Sequence, residues 1–200
     1  PHRIAIGKPM TSAPTIDQRW LWVREESKVR ELHRLFREEK GSIIVFVRSK
    51  DRATRLWRTL HSDGVYDATV IHSDRGQASR EQALADFKEG KFRILIATDV
   101  VGRGIHVDSV AHVINFELPL EAEDYIHRIG RTGRQGETGR ATSLVTAYDR
   151  GAVGRIEKML KMQLPYEERG ERAVGEAMRD PRSRSGRPPG RSSSAPKRRN

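Results

Sequence analysis

Short β-rich runs and amphipathic runs of helical period alternate along 15–165, and this alternation narrows the fold more than any other feature of the chain. The segment 15–23, entered through Pro14, reads as a strand. The segment 28–39 reads as a helix with Val29, Leu32, Leu35 and Phe36 on one face and Gly41 as its stop. Ile43–Val47 is an uninterrupted apolar run, the pattern of a strand covered on both faces. Further helices are expected over 51–63, 77–89 (ended by Gly90), 121–129 and 151–162, and further strands over 69–71, 94–97, 110–116 and 141–145. Strand and helix in this alternation imply right-handed crossovers and a mostly parallel sheet with helices on both faces, an α/β three-layer sandwich. Sheets of that kind bind ligands at the carboxyl ends of their strands. Here those ends are 48–50, 72–74, 98–99 and the loop after Phe116, where polar and charged residues cluster.

The 200 residues fit one such domain and a tail. Cysteine is absent, which excludes disulfides, a thiol nucleophile and a thiolate metal site. That fits a reducing compartment, and a cytoplasmic location is expected. No apolar stretch approaches the ~18 residues that would cross a bilayer, so no membrane association is expected. The start, Pro1-His2-Arg3-Ile4, has no signal-peptide pattern, and we read the chain as a fragment of a longer protein. The formal charge is +11, and 181–200 hold seven Lys or Arg and no acid. That Arg/Ser/Pro/Gly-rich segment lacks large apolar side chains to offset the entropy of ordering, so a disordered basic tail is expected. Charge distributed in this way favours a polyanionic partner such as nucleic acid.

From Tyr125 to Gly136, three arginines fall at spacing three (Arg128, Arg131, Arg134), interleaved with Gly130, Gly133 and Gly136 and preceded by His127. A guanidinium is planar, permanently charged and able to grip phosphate with two parallel hydrogen bonds. A merely solvated basic loop has no need of glycines alternating with the arginines. The chain also lacks a glycine-rich loop ending in Lys-Ser/Thr and an acidic pair beside it to hold Mg²⁺. It could touch a nucleoside triphosphate but not cradle one. Arginines that reach a triphosphate held elsewhere would act as fingers, an arrangement worth about 10³–10⁵ in rate.

Four ordered segments carry a resemblance to the C-terminal RecA-like lobe of DEAD-box ATP-dependent RNA helicases, in superfamily 2. Val45-Phe46-Val47-Arg48-Ser49-Lys50 resembles that family's motif IV, and His72-Ser73-Asp74 with Gln77-x-x-Arg80 its motif IVa region. The run 97–105 resembles motif V, and the run from His127 to Arg134 resembles motif VI at every position. The resemblance covers roughly 4–165. It implies a RecA-like fold, with 1–14 as an interlobe linker, 15–165 as the helicase C-terminal domain and 166–200 as the tail.

It also implies roles. Arg131 and Arg134 would approach the γ-phosphate of ATP, whose Mg²⁺ is held mainly by an N-terminal RecA-like lobe of the same protein. Gly104 and His106 would line the nucleotide cleft, and Arg103, His127 and Arg128 would couple the lobes. Ser49, Lys50, Arg80 and Thr98, with backbone amides around Asp99, would hold RNA by its sugar-phosphate backbone, a contact indifferent to base identity. Two departures stand out. His106 occupies a place where the family usually has Asp, as in a bacterial branch resembling the degradosome-associated helicase, which would add a ribonuclease or ribonucleoprotein complex as a partner. Ser73 stands where glycine is commoner, and a positive φ there would strain the loop. Trp20, Trp22 and Trp57 are expected in the core or a lobe interface rather than as base-stacking platforms. Two alternatives stay open: a superfamily 2 translocase acting on DNA, and a non-enzymatic RNA chaperone whose basic tail anneals strands.

Overall fold

The uninterrupted apolar run, strand β3 (Ile43–Val47), lies inside a single sheet and is buried at all five positions. It pairs in parallel with β5 (Ile94–Thr98) on one side and β6 (His112–Asn115) on the other. The computed structural model describes residues 2–5, 15–74, 76–99, 107, 109–133 and 138–168. Beyond β5 lies β4 (Ala68–Ile71); beyond β6 lie β7 (Gly139–Val145) and then β2 (Thr15–Trp22), all parallel.

Successive residues along each strand point to opposite faces, and both faces are covered. Ile43, Val45 and Val47 pack with Leu32, Leu35 and Phe36 of helix α1 (Lys28–Glu38) and with Ala53, Leu56 and Leu60 of helix α2 (Lys50–Ser62). Ile44 and Phe46 pack on the opposite side with Ala83 and Phe87 of helix α3 (Gln77–Lys88). Tyr125 and Ile129 of helix α4 (Ala122–Ile129) and Ala152, Val153 and Ile156 of helix α5 (Arg150–Leu160) join them. The α/β three-layer sandwich is the architecture the sequence pattern implies. Trp20 and Trp22 are buried on the α4–α5 side, where Trp20 meets Tyr125 at 5.0 Å between ring centroids. Trp57 is half-buried and donates its indole N–H to the Ala68 carbonyl at 3.0 Å. All three tryptophans are packing residues.

Four particulars differ from the sequence expectation. Two short strands fall in segments read as linker and tail: β1 (His2–Ala5) runs antiparallel to β2, and β8 (Tyr166–Glu168) runs parallel to Trp20–Trp22 of β2. Both are edge strands, and three or four residues give too short a pattern to recognise. Gly41 does not stop α1, which ends at Glu38 with an extended cap residue at Glu39. The glycine instead admits Ala111, whose Cβ would collide with a Cβ at position 41. Gly90, by contrast, does take a left-handed conformation after α3, at φ +76°. Finally, β6 is shorter than 110–116, because Ser109 turns the chain at φ +65° before it. The residues beyond 168, which hold the basic tail, lie outside the described residues. Among the described residues, no helix is long and apolar enough to cross a membrane.

Candidate nucleotide and nucleic-acid interface

The carboxyl ends of β6, β3, β5 and β4, neighbours in that order, form a continuous polar rim. Ser49 caps α2 there. Its backbone is extended (φ −136°, ψ 158°) and its hydroxyl oxygen accepts the Arg52 N–H at 3.3 Å, which leaves the hydroxyl proton to donate outward. Lys50 is exposed but engaged: its ammonium sits 2.7 Å from Asp74, so the salt bridge spans from the end of β3 to the end of β4. The hydrogen bond and charge of Asp74 raise the Lys50 pKa above its ordinary value, and Lys50 lowers that of Asp74. A phosphate reaching Lys50 therefore competes with a carboxylate.

Thr98 ends β5 and is buried. Arg80, on the first turn of α3, donates one terminal nitrogen to Gln77, while its buried Nε has no hydrogen-bond partner. Ser73 is exposed and does not adopt a positive φ, so the side chain there costs the loop no strain.

Arg128 turns inward. It is 2 % exposed, and its Nε and Nη2 grip the two oxygens of Asp99 at 2.5 and 2.7 Å. Its Nη1 donates to Asn115 Oδ1 at 3.1 Å and to the Glu117 carbonyl at 2.6 Å. The guanidinium also lies 5.1 Å from the centroid of the Phe46 ring. A contact on the interlobe face had been expected of Arg128. In this domain its side chain points inward, with four of its five N–H groups bonded to Asp99, Asn115 and the Glu117 carbonyl. Its geometry makes it the clamp that holds α4 to the ends of β5 and β6. The Asp99 carboxylate is correspondingly held from within by two of the Arg128 nitrogens.

Arg131 lies just past α4 and is partly exposed. Its Nε donates to the His127 carbonyl at 3.3 Å. The turn that carries it is fixed from below. Val110 N–H donates to the Arg131 carbonyl at 3.1 Å, and the fully buried Thr132 hydroxyl donates to the Val110 carbonyl at 2.5 Å. One glycine of the arginine-rich run and one that starts β7 shape the turn. Gly133 takes φ +71°, and Gly139 packs so closely that a Cβ would collide with the Gly133 backbone. This anchorage lies at the start of β6, not at its carboxyl end. The arginine turn is thus separate from the strand ends at 48–50, 72–74, 98–99 and after Phe116. His127 is exposed, with Nδ1 3.5 Å from Asp124. Arg103, Gly104, His106 and Arg134 lie outside the described residues.

The rim also holds charged residues to which the sequence assigned no role. Arg48 donates from Nε to the Leu118 carbonyl at 2.7 Å and from Nη2 to buried Asp149 at 2.5 Å. Arg52 donates to Glu117, itself 3 % exposed, and more weakly to Glu25. The available signal was a carboxylate, Glu117, following the apolar run of β6. Below the turn, buried His112 bonds Thr142 Oγ1 at 2.8 Å; burial, with Arg140 and Arg19 nearby, pushes its pKa down to about 3.

Residues 27–136 match the model of the helicase conserved C-terminal domain. The chain belongs to this helicase family. Its relatives within the family are DEAD-box proteins. The DEAD-box ATP-dependent RNA helicase CshA of Geobacillus kaustophilus is 41 % identical over 165 residues, 82 % of this chain and 35 % of that protein. The chain therefore spans about a third of the length of the curated relatives it matches. Among solved structures, the C-terminal domain of the DEAD-box protein Dbp5 aligns with a TM-score of 0.68 at 33 % identity, covering 76 % of this chain and 89 % of that one. Saccharomyces cerevisiae Dbp5 bound to RNA and ADP BeF3 aligns with a TM-score of 0.68 at 31 % identity, over 76 % of this chain and 41 % of that one. The helicase C-terminal domain is RecA-like, as the motifs implied.

Proposed function

We propose that this helicase domain is the second lobe of an ATP-dependent RNA helicase that separates short duplexes locally. In this reading, ATP with its Mg²⁺ sits mainly on an N-terminal RecA-like lobe of the same protein. Arg131 and Arg134 reach across to the γ-phosphate and neutralise the charge that develops in the transition state. Gly104 and His106 line the nucleotide side of the cleft, and Arg103 and His127 face the other lobe. Ser49, Lys50, Arg80, Thr98 and the amides near Asp99 take one RNA strand by its backbone. Closure of the lobes bends that strand away from its partner, and phosphate release reopens the cleft. A basic tail adds salt-dependent affinity that ignores sequence.

The observation that carries this reading is the Arg128 clamp. One side chain from the arginine-rich segment bonds Asp99 beside the RNA rim, so the two halves of the site share a rigid element. Nucleotide and strand can then report to each other without a long path. The test is ATP hydrolysis and strand separation by the complete protein, with matched RNA and DNA duplexes. The reading expects hydrolysis stimulated by RNA and separation of RNA duplexes only with ATP. Equal action on DNA would favour a DNA translocase, and strand annealing indifferent to ATP would favour a chaperone. Isolated from the other lobe, the chain is expected to bind RNA weakly and not to turn over ATP.

A further inference from the structure

Glu117 follows β6 in the loop at the rim and is 3 % exposed, a costly place for a carboxylate unless every charge and hydrogen bond is matched. Here they are. Oε1 accepts Arg52 Nε at 2.7 Å and lies 2.6 Å from its Nη2, while Oε2 accepts the main-chain N–H of Arg48 at 2.8 Å. Its own N–H donates to the Phe46 carbonyl at 3.2 Å, and its carbonyl accepts Arg128 Nη1 at 2.6 Å. The residues its carboxylate holds, Arg48 and Arg52, bracket Ser49 and Lys50.

A carboxylate present only to neutralise Arg52 would need contact with the guanidinium alone. Glu117 instead commits one oxygen to a backbone amide immediately before the cap of α2, a bond that fixes chain geometry rather than charge. With its carbonyl on Arg128, the same residue touches both the RNA rim and the clamp that leads to the arginine turn. We propose that Glu117 is a positioning residue. It holds the segment 48–52 and Arg128 in one frame, so that a strand seated at the rim is registered against the arginine turn. This rests on the helicase reading above. Its consequence is specific: loosening Glu117 should impair the use of RNA more than the binding of ATP, because a shift of about 1 Å in a positioning group can cost up to about 100-fold.

The experiment is RNA-stimulated ATP hydrolysis by the complete protein carrying Glu117→Gln, and separately Arg52→Lys, each with its thermal midpoint measured without RNA. Glu117→Gln keeps the shape of the side chain but cannot accept from both arginine segments. The expected result is a rise of about tenfold in the RNA concentration for half-maximal stimulation, with the KM for ATP changed by less than about twofold. Arg52→Lys keeps a positive charge beside the buried Glu117 carboxylate but loses the two-nitrogen grip, so it is expected to fold normally, with a rise of about threefold. Should Glu117→Gln fail to fold, the Arg52 variant decides on the same readout. A thermal midpoint that falls while RNA stimulation stays as in the wild type makes Glu117 merely structural and overturns the proposal. A wild-type protein whose hydrolysis ignores RNA overturns the helicase reading as well; a stimulated wild type with unchanged variants overturns this proposal alone.

Discussion

Arg128 and Arg131 carry the same side chain three residues apart, yet they occupy opposite surroundings. Arg128 is sealed beneath the rim, with all three guanidinium nitrogens bonded to Asp99, Asn115 and Glu117. Arg131 sits on a turn held by its backbone, partly exposed, its Nε on a carbonyl of its own helix. Repeated arginines in a sequence suggest a repeated task. The fold separates the two instead: one guanidinium is built into the frame, and its neighbour stays partly exposed on the turn. Firm anchorage of the turn through Thr132 and Val110 lets a partly exposed cation be placed accurately, because the backbone, not the guanidinium, supplies the rigidity.

That division can be broken by substitution. Replacing Arg131 with Ala in the complete protein should have the largest effect, a loss of about a thousandfold in RNA-stimulated ATP hydrolysis, the scale of an arginine finger. The thermal midpoint should move by less than about 2 °C, as for a surface change. Arg128→Met should show the reverse emphasis. It leaves the partly exposed Asp99 carboxylate and the buried Asn115 side chain without their donor, a loss of about 2 kcal/mol, or roughly 4–8 °C in midpoint by calorimetry. Equal stability losses for the two variants would end the distinction between them.

Acid should probe the anchorage next. His112 begins β6, two residues after Val110, and its folded pKa is pushed down to about 3 from an ordinary 6.5. Between those values the unfolded chain binds a proton that the folded chain refuses. Stability should therefore be full above about pH 6.5 and fall as the pH drops toward 3. At pH 4.5 the loss should be about 3 kcal/mol in urea titrations, and His112→Asn should flatten that dependence. The smallest effect belongs to the rim. Lys50→Ala should weaken binding of a single RNA strand by about threefold and reduce its salt dependence by roughly one counterion. Asp74→Asn, which frees Lys50, should tighten binding by about twofold in the same anisotropy assay.

Most of the architecture was legible in the sequence because buried parallel strands announce themselves. Ile43–Val47 has no polar residue, and the amphipathic faces of α1 and α2 appear at helical spacing. What sequence could not supply were features that depend on tertiary approach. The role of Gly41 is set by Ala111, 70 positions away, rather than by the helix before it. Strands β1 and β8 exist because β2 offers an open edge, not because their own residues demand it. In the site, the residue types that suit phosphate were identified, but not which arginine faces inward. That choice depends on Asp99 and Glu117, whose carboxylate and carbonyl lie in loops after different strands. The interior of the rim went unseen for the same reason. Glu117, Arg52 and Asp149 are scattered in the chain and meet only where β3, β6 and β7 end.

The most direct measurement uses an ATP analogue with a photoreactive group on its γ-phosphate, irradiated with the complete protein in the presence and absence of single-stranded RNA. Peptide mapping should place the label on the turn containing Arg131, and only when RNA is bound. Label that never reaches this turn, or that reaches it equally without RNA, would contradict the account.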